Sequence, residues 1–325
     1  MRPIIDLHCD LLSYLGYVPW STPMDTEAIG CAVPHLQAGN VCLQVLAAFT
    51  LTEARSADFG MQQARTFRRL VEDGVFREWT GVGDWDEAVH GEAVFVTPAI
   101  ENASNICEED EALDKGLARL ENWMGIAGKP LYITITHHAE NRFGGGNMTE
   151  GIGLKEDGKV LLEYLDGRGI AVDLSHTSDQ MADELLDHID KKGLQLRILA
   201  SHSNFREVTK HARNLPFALL KEVVRREGVI GINFVRDFVG RHHPERLQDH
   251  IRFAFETVAG ECVAWGADFF APGLMPPEQA FRAPFFHPGQ EHAGRYGEIL
   301  EGLPGLGERE LDGICFGKVV RFLGV

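Results

Sequence analysis

The chain has no C-x-x-C pair, no uninterrupted apolar run long enough to span a bilayer, no low-complexity linker and a shortage of positive charge. Each shortage excludes something. Six cysteines (Cys9, Cys31, Cys42, Cys107, Cys262 and Cys315) without zinc-finger spacing argue against a structural zinc module. Cys9, Cys42 and Cys262 lie in or beside apolar runs, as reduced core thiols do. Without a spanning run there is no candidate transmembrane helix, and no membrane partner is expected. The 31 basic residues face 48 acidic ones, a net charge of −17 that repels phosphate backbones and disfavours a nucleic-acid partner. The opening MRPIIDLHCD carries no signal h-region or cleavage site, so the expected location is cytoplasmic.

What is present is a core. Hydrophobic residues make up 44% of the 325, enough for one large α/β domain over 1–325. Eight short apolar, often β-branched runs are predicted as strands at 4–7, 41–47, 93–100, 131–136, 170–175, 197–201, 229–234 and 262–266. Segments of helical period lie between most of them, at 62–71, 110–123, 160–165, 178–189, 215–226, 245–259 and 308–323. Eight strand–helix repeats predict an α/β fold closed as a (β/α)8 TIM barrel, with its site at the carboxyl ends of the strands. Two loops on that face stand out, the glycine-rich 143–153 and the proline- and phenylalanine-rich 269–288. They are either a lid and substrate wall or plain connections.

Five residues at strand ends carry the chemistry: His8 and Asp10 in IIDLHCD, Glu101 after VFVTPAI, His176 in DLSHTS and His202 in ASHSN. Alone, each is what a solvent-facing strand end often carries. Two carboxylates and three imidazoles at equivalent positions of one barrel mouth form a ligand set for two divalent cations, with Glu101 able to bridge them. The hydroxyls of Ser175, Thr177, Ser201 and Ser203 flank the histidines and can orient ring or water. His137, preferred over His138 as nearer the strand, and Asp268 end two further strands and face the same mouth. The first can donate to a carbonyl oxygen as it gains charge, and the second can take a proton from water. Two cations sharing one water make hydroxide available near neutral pH. These features point to a metal-activated hydrolase.

The same residues resemble the membrane (renal) dipeptidases, a zinc peptidase branch of the amidohydrolase superfamily. DLHCDLL, VPHLQAGNVCLQVLA, TITHHAENRFG, GRGIAVDLSHTSD, ILASHSNFREVTKHARNL and GVIGINF follow the family's motifs in order along nearly the whole chain. The resemblance implies a pair of zinc ions, one held by His8, Asp10 and Glu101, the other by Glu101, His176 and His202. It implies that His137 meets the scissile carbonyl, that Asp268 is the catalytic aspartate, and that Arg213 binds the substrate's terminal carboxylate. The implied substrate is a dipeptide with a free C-terminal carboxylate, with a D-residue tolerated there, and a homodimer is common in the family.

Four segments depart from the pattern. Glu101-Asn102-Ala103 stands where the family reads Glu-Gly-Gly, and Asp268-Phe269-Phe270-Ala271 where it reads Asp-Phe-Asp-Gly. Phe238 stands where a tyrosine is frequent, and Gly317-Lys318-Val319-Val320-Arg321 where Gly-Asn-x-x-Arg is. The ligands survive and the substrate wall changes. Two alternatives therefore stand beside the dipeptidase: a related amidohydrolase for another small amide or an N-acyl amino acid, and a metal-loaded barrel that binds without turnover.

Overall fold

The computed structural model describes residues 1–257, 260, 262–303 and 305–324. Strands form at β1 (Ile4–Cys9), β2 (Val41–Phe49), β3 (Arg77–Glu78), β4 (Phe95–Glu101), β5 (Tyr132–Thr134), β6 (Ala171–Asp173), β7 (Ile198–Leu199), β8 (Ile230–Ile232) and β9 (Val263–Trp265). All pairings between them are parallel, in the order β7-β6-β5-β4-β2-β1-β9-β8. A parallel bridge between Ala200 and Ile230 joins the two ends of that order and completes the ring. The expected eight-stranded (β/α)8 barrel is the observed fold. The unexpected β3 pairs outside the ring, on β4.

The ring is tight where it closes. A Cβ on Gly231 or on Gly266 would lie 1.9 Å from the Ser201 carbonyl oxygen, so only glycine fits at either position. Side chains from around the ring (Ile5, Leu7, Leu43, Val45, Tyr132, Ala171, Leu199 and Ala264) form one buried cluster, joined by Val319 and Phe322 from the last helix. A larger cluster lies between strands and surrounding helices. The helix Asp179–Lys192 shows the logic: Ser178 caps it by accepting from Met181 N at 3.0 Å, and Met181, Leu185 and Ile189 bury one stripe. The predicted 308–323 helix forms over those bounds, as three consecutive helical segments, Glu308–Asp312, the π-turn Gly313–Gly317 and Lys318–Leu323. The expected end of the 245–259 helix falls partly on residues outside those described; Arg246–Glu256 is helical. All six cysteines are buried, as core thiols are.

Strands β5 to β9 are shorter than the apolar runs that encode them, and the reason bears on function. Side chains replace the ladder at their ends. Asp173 Oδ1 accepts from Ser175 N (3.0 Å) and Ser201 N (2.8 Å), and its Oδ2 accepts from Thr134 Oγ1 (2.7 Å) and Ser201 Oγ (2.6 Å). Asp6 Oδ1 likewise accepts from His8 N (3.1 Å) and Ala267 N (3.2 Å), and its Oδ2 from Tyr296 Oη (2.6 Å). Each carboxylate ties two strands together just where the chain leaves the sheet. Asp173→Ala strands two buried N–H groups at about 1–3 kcal/mol each. We expect urea denaturation to show a loss of about 2–6 kcal/mol on that basis.

Candidate metal centre and active site

His137, His176, His202 and Asp268 each lie three residues past the last residue of a strand (Thr134, Asp173, Leu199 and Trp265). Glu101 ends β4, and Asp10 follows β1 directly. Because all strands run the same way, these residues share one mouth. His176 (φ +67°), Asp268 (φ +63°) and Asn102 (φ +72°) adopt left-handed backbone conformations that non-glycine residues rarely take. Asn102 has ψ +114°, outside the αL well that asparagine tolerates. Its side chain bonds Thr50 O and Thr52 Oγ1 and accepts from Ser104 N and Asn141 Nδ2, and these bonds hold the turn.

Glu101 is the centre of the arrangement. It is 2% exposed. Its Oε1 lies 2.9 Å from His176 Nε2 and 3.4 Å from His202 Nε2, and its Oε2 lies 3.4 Å from His8 Nε2. His8 Nε2 is in turn 4.0 Å from Asp10 Oδ1 and 3.8 Å from Asp268 Oδ1. The two oxygens of one carboxylate therefore address two different groups of donors. Among the described residues, three triads keep their donor atoms within 4.8 Å: His8–Glu101–His202 and His8–Asp10–Asp268, which share His8, and His137–His138–His176, which shares no residue with them. Together they contain all five expected ligands and three further residues, His137, His138 and Asp268.

Hydrogen bonds fix which ring nitrogen is free. Tyr132 Oη donates to Leu7 O (2.9 Å), so at 2.7 Å it accepts from His8 Nδ1–H and leaves Nε2 with its lone pair toward the centre. Ser201 Oγ donates to Asp173 Oδ2 and so accepts from His202 Nδ1–H at 2.6 Å, with the same result. Of the four flanking hydroxyls, only Ser201 orients a ring. Ser203 Oγ accepts from Arg213, Ser175 Oγ accepts from His202 N, and Thr177 donates to Leu174 O. Asp268 is held by Asn233 Nδ2 at 2.8 Å.

The electrostatics call for cations. Burial pushes the carboxyls of Glu101 up to about 8 and Asp268 up to about 7, and raises Asp10 well above the ordinary range. Burial lowers His137, His176 and His202 well below 6.5, so all three are neutral. Buried His8 Nε2 and Asp10 Oδ1 have no hydrogen-bond partner, an expensive state for polar atoms. Neutral imidazoles, crowded carboxylates and orphaned lone pairs facing one another fit a divalent metal site.

A cavity of about 550 Å3 opens above this floor. His137, His138, His176, Asp10, Glu101 and Asp268 line its polar side. Arg213 is buried and not in the lining: it donates to Ser203 Oγ and His202 O at 2.8 Å, keeps an unpartnered Nε, and lies 5.7 Å from the Phe238 ring, which does line the cavity. Tyr132, Asn233, Asp6, Asp173 and His138 were not assigned from sequence. The legible signals were an acid two or three positions before a ligand inside an apolar run (Asp6-x-His8, Asp173-x-x-His176) and a lone tyrosine in such a run.

A barrel with a carboxylate-bridged cluster of imidazoles at its mouth is a metallohydrolase architecture. The chain belongs to the membrane dipeptidase family, peptidase family M19, whose pattern it matches over residues 1–324. It is 32% identical over 143 residues to Dipeptidase verJ of Clonostachys rogersoniana, an alignment covering 42% of this chain and 36% of that protein. The chain thus aligns with less than half the length of this relative. A metallo peptidase from Rhodobacter sphaeroides, solved with a phosphinate mimic of L-Ala-D-Ala, shares the fold with a TM-score of 0.81 at 17% identity, over 99% of both chains. An amidohydrolase from Pseudomonas aeruginosa shares it with a TM-score of 0.78 at 16% identity, over 99% of this chain and 95% of that one. No described helix is long and apolar enough to cross a membrane.

These shifts predict a pH dependence. A carboxyl raised to about 7 or 8 in the fold holds a proton that the unfolded chain releases near pH 4, so stability falls as pH rises through 7 and 8. The depressed histidines act oppositely, but only below their unfolded value of 6.5. The clean window is therefore between 6.5 and 8. There, the melting temperature of chelator-treated protein should fall with pH while that of zinc-replete protein does not. A gap between the two that stays constant from pH 6.5 to 8 would mean the carboxylates do not meet a cation.

Proposed function

We propose that this protein is a dinuclear zinc dipeptidase, cleaving dipeptides with a free C-terminal carboxylate and tolerating a D-residue at that position. The observation that carries the proposal is the division of Glu101, with Oε1 toward His176 and His202 and Oε2 toward His8. In this reading His8, Asp10 and Glu101 hold one zinc, and Glu101, His176 and His202 hold the other. Bound zinc supplies Lewis acidity and lowers the pKa of water at the site. Family membership supports the activity, and the L-Ala-D-Ala mimic in the similar Rhodobacter sphaeroides structure supports the D-residue.

The chain's own groups complete the chemistry. Asp268, aimed by Asn233, takes a proton from the attacking water at a carboxylate oxygen and passes it to the leaving amine. The carbon–nitrogen bond breaks as the new carbon–oxygen bond is kept, so one water is consumed and two amino acids leave. Neutral His137 lines the cavity and donates a hydrogen bond to the carbonyl oxygen as it becomes an oxyanion. Arg213, beside Phe238 and outside the cavity lining, supplies counter-charge for the substrate carboxylate through its field rather than by a direct fork. Its guanidinium is buried 2.8 Å from the His202 carbonyl oxygen, and its Nε has no partner.

Zinc-loaded enzyme should hydrolyse L-L and L-D dipeptides. Asp268→Asn should keep the metal but lose roughly 100- to 10,000-fold in kcat, the range for a general acid–base residue. The check is steady-state kinetics alongside metal analysis. Turnover of N-acyl amino acids with none of dipeptides would instead favour the related amidohydrolase, and metal without turnover of either would favour a binding barrel.

A further inference from the structure

Resting on that reading, we infer that the site selects dipeptides carrying a bulky apolar side chain, and that Phe270 is a residue that sets this choice. The polar floor of the cavity accounts for the metals and the peptide bond. The walls have no such explanation. On one side, the segment after β9 contributes Phe270, Leu274, Met275 and Phe285. On the other, Leu51 and Met148 line the opening while 47% and 61% exposed. Large apolar side chains left facing an open cavity mark the surface that an apolar ligand covers.

The wall is built rather than incidental. Phe270 meets Phe285 edge-on with centroids 5.5 Å apart and Phe286 at 5.1 Å. The segment that carries Phe285 is tied to the helix Arg236–Val239 from several points: Arg236 N donates to Phe285 O at 2.8 Å, Arg236 Nη2 to Arg282 O at 2.6 Å, and Arg282 Nε to Asp237 Oδ2 at 2.9 Å. An aromatic surface held this way keeps its shape when a ligand arrives, so contact with it is not offset by ordering of the loop. Phe269, by contrast, is fully buried and does not line the cavity, so of the adjacent pair only Phe270 faces substrate.

Size and charge agree. A cavity of about 550 Å3 lies within the range that takes a drug-sized ligand, so a side chain larger than methyl has room. The one arginine among the described lining residues, Arg282, is already engaged by Asp237 and Gln279. Glu53 is also in the lining. An acidic substrate side chain would meet apolar rings, a committed guanidinium and a carboxylate.

The test is kcat/KM for the zinc-loaded full chain on a dipeptide panel that varies one position at a time through alanine, leucine, phenylalanine, glutamate and lysine. At one of the two positions leucine or phenylalanine should exceed alanine by about tenfold or more, the scale on which a hydrophobic pocket discriminates. Glutamate should fall below alanine. Phe270→Asp should shrink the phenylalanine-to-alanine ratio by about tenfold, with a melting temperature measured on the same sample to show that it is folded. A flat panel, or a preference for glutamate, overturns the inference while leaving the dipeptidase intact. No turnover of any dipeptide overturns the dipeptidase reading itself. If Phe270→Asp does not fold, the wild-type panel still decides, and Leu274→Ala repeats the ratio measurement at a neighbouring wall position.

Discussion

One buried carboxylate organises this molecule. Glu101 sits almost without solvent among three imidazoles, with Asp10 and Asp268 close by. Such a cluster is costly unless cations or protons neutralise it. The raised proton affinity of Glu101 and Asp268 is that cost expressed as titration. Much of the surrounding structure is a means of holding the cluster in place. Asp6 and Asp173 pin the strand ends, Tyr132 and Ser201 fix the imidazole tautomers, and His176, Asp268 and Asn102 occupy unfavourable backbone conformations.

The fold and the floor of the site were legible in the sequence for a common reason. Strands of a parallel barrel are buried on both faces, so they read as apolar runs, and chemistry begins where a run ends. His176 and His202 stood out because they broke such runs in matched frames. Strand length was not legible. The side chains that replace the ladder, Asp173 and Asp6, lie inside the runs, and only the folded chain shows that Asp173 accepts from two separate strand ends. Tyr132 was hidden in the same way, as a strand residue whose hydroxyl finds His8, 124 positions away in sequence. The short helix Leu11–Tyr17 and the outlying β3 carry too few residues for any period to register.

The cavity divides into a polar floor and a largely apolar wall. On the floor, Asn102 holds a positive-φ turn beside Glu101 through its side-chain hydrogen bonds. Phe270 belongs to the apolar wall that the cavity presents. In the proposed reading, metal binding and substrate choice fall to different strand ends and loops, which lets one vary while the other is retained.

The central claim is that Glu101 is shared between two cations. Elemental analysis of metal-replete wild-type protein and of Glu101→Gln, with circular dichroism on both to show that they are folded, tests it most directly. The account predicts close to two zinc ions per wild-type chain and loss of both, or retention of no more than one weakly held ion, in the variant. A wild-type protein with no zinc, or a variant that keeps two, would contradict it.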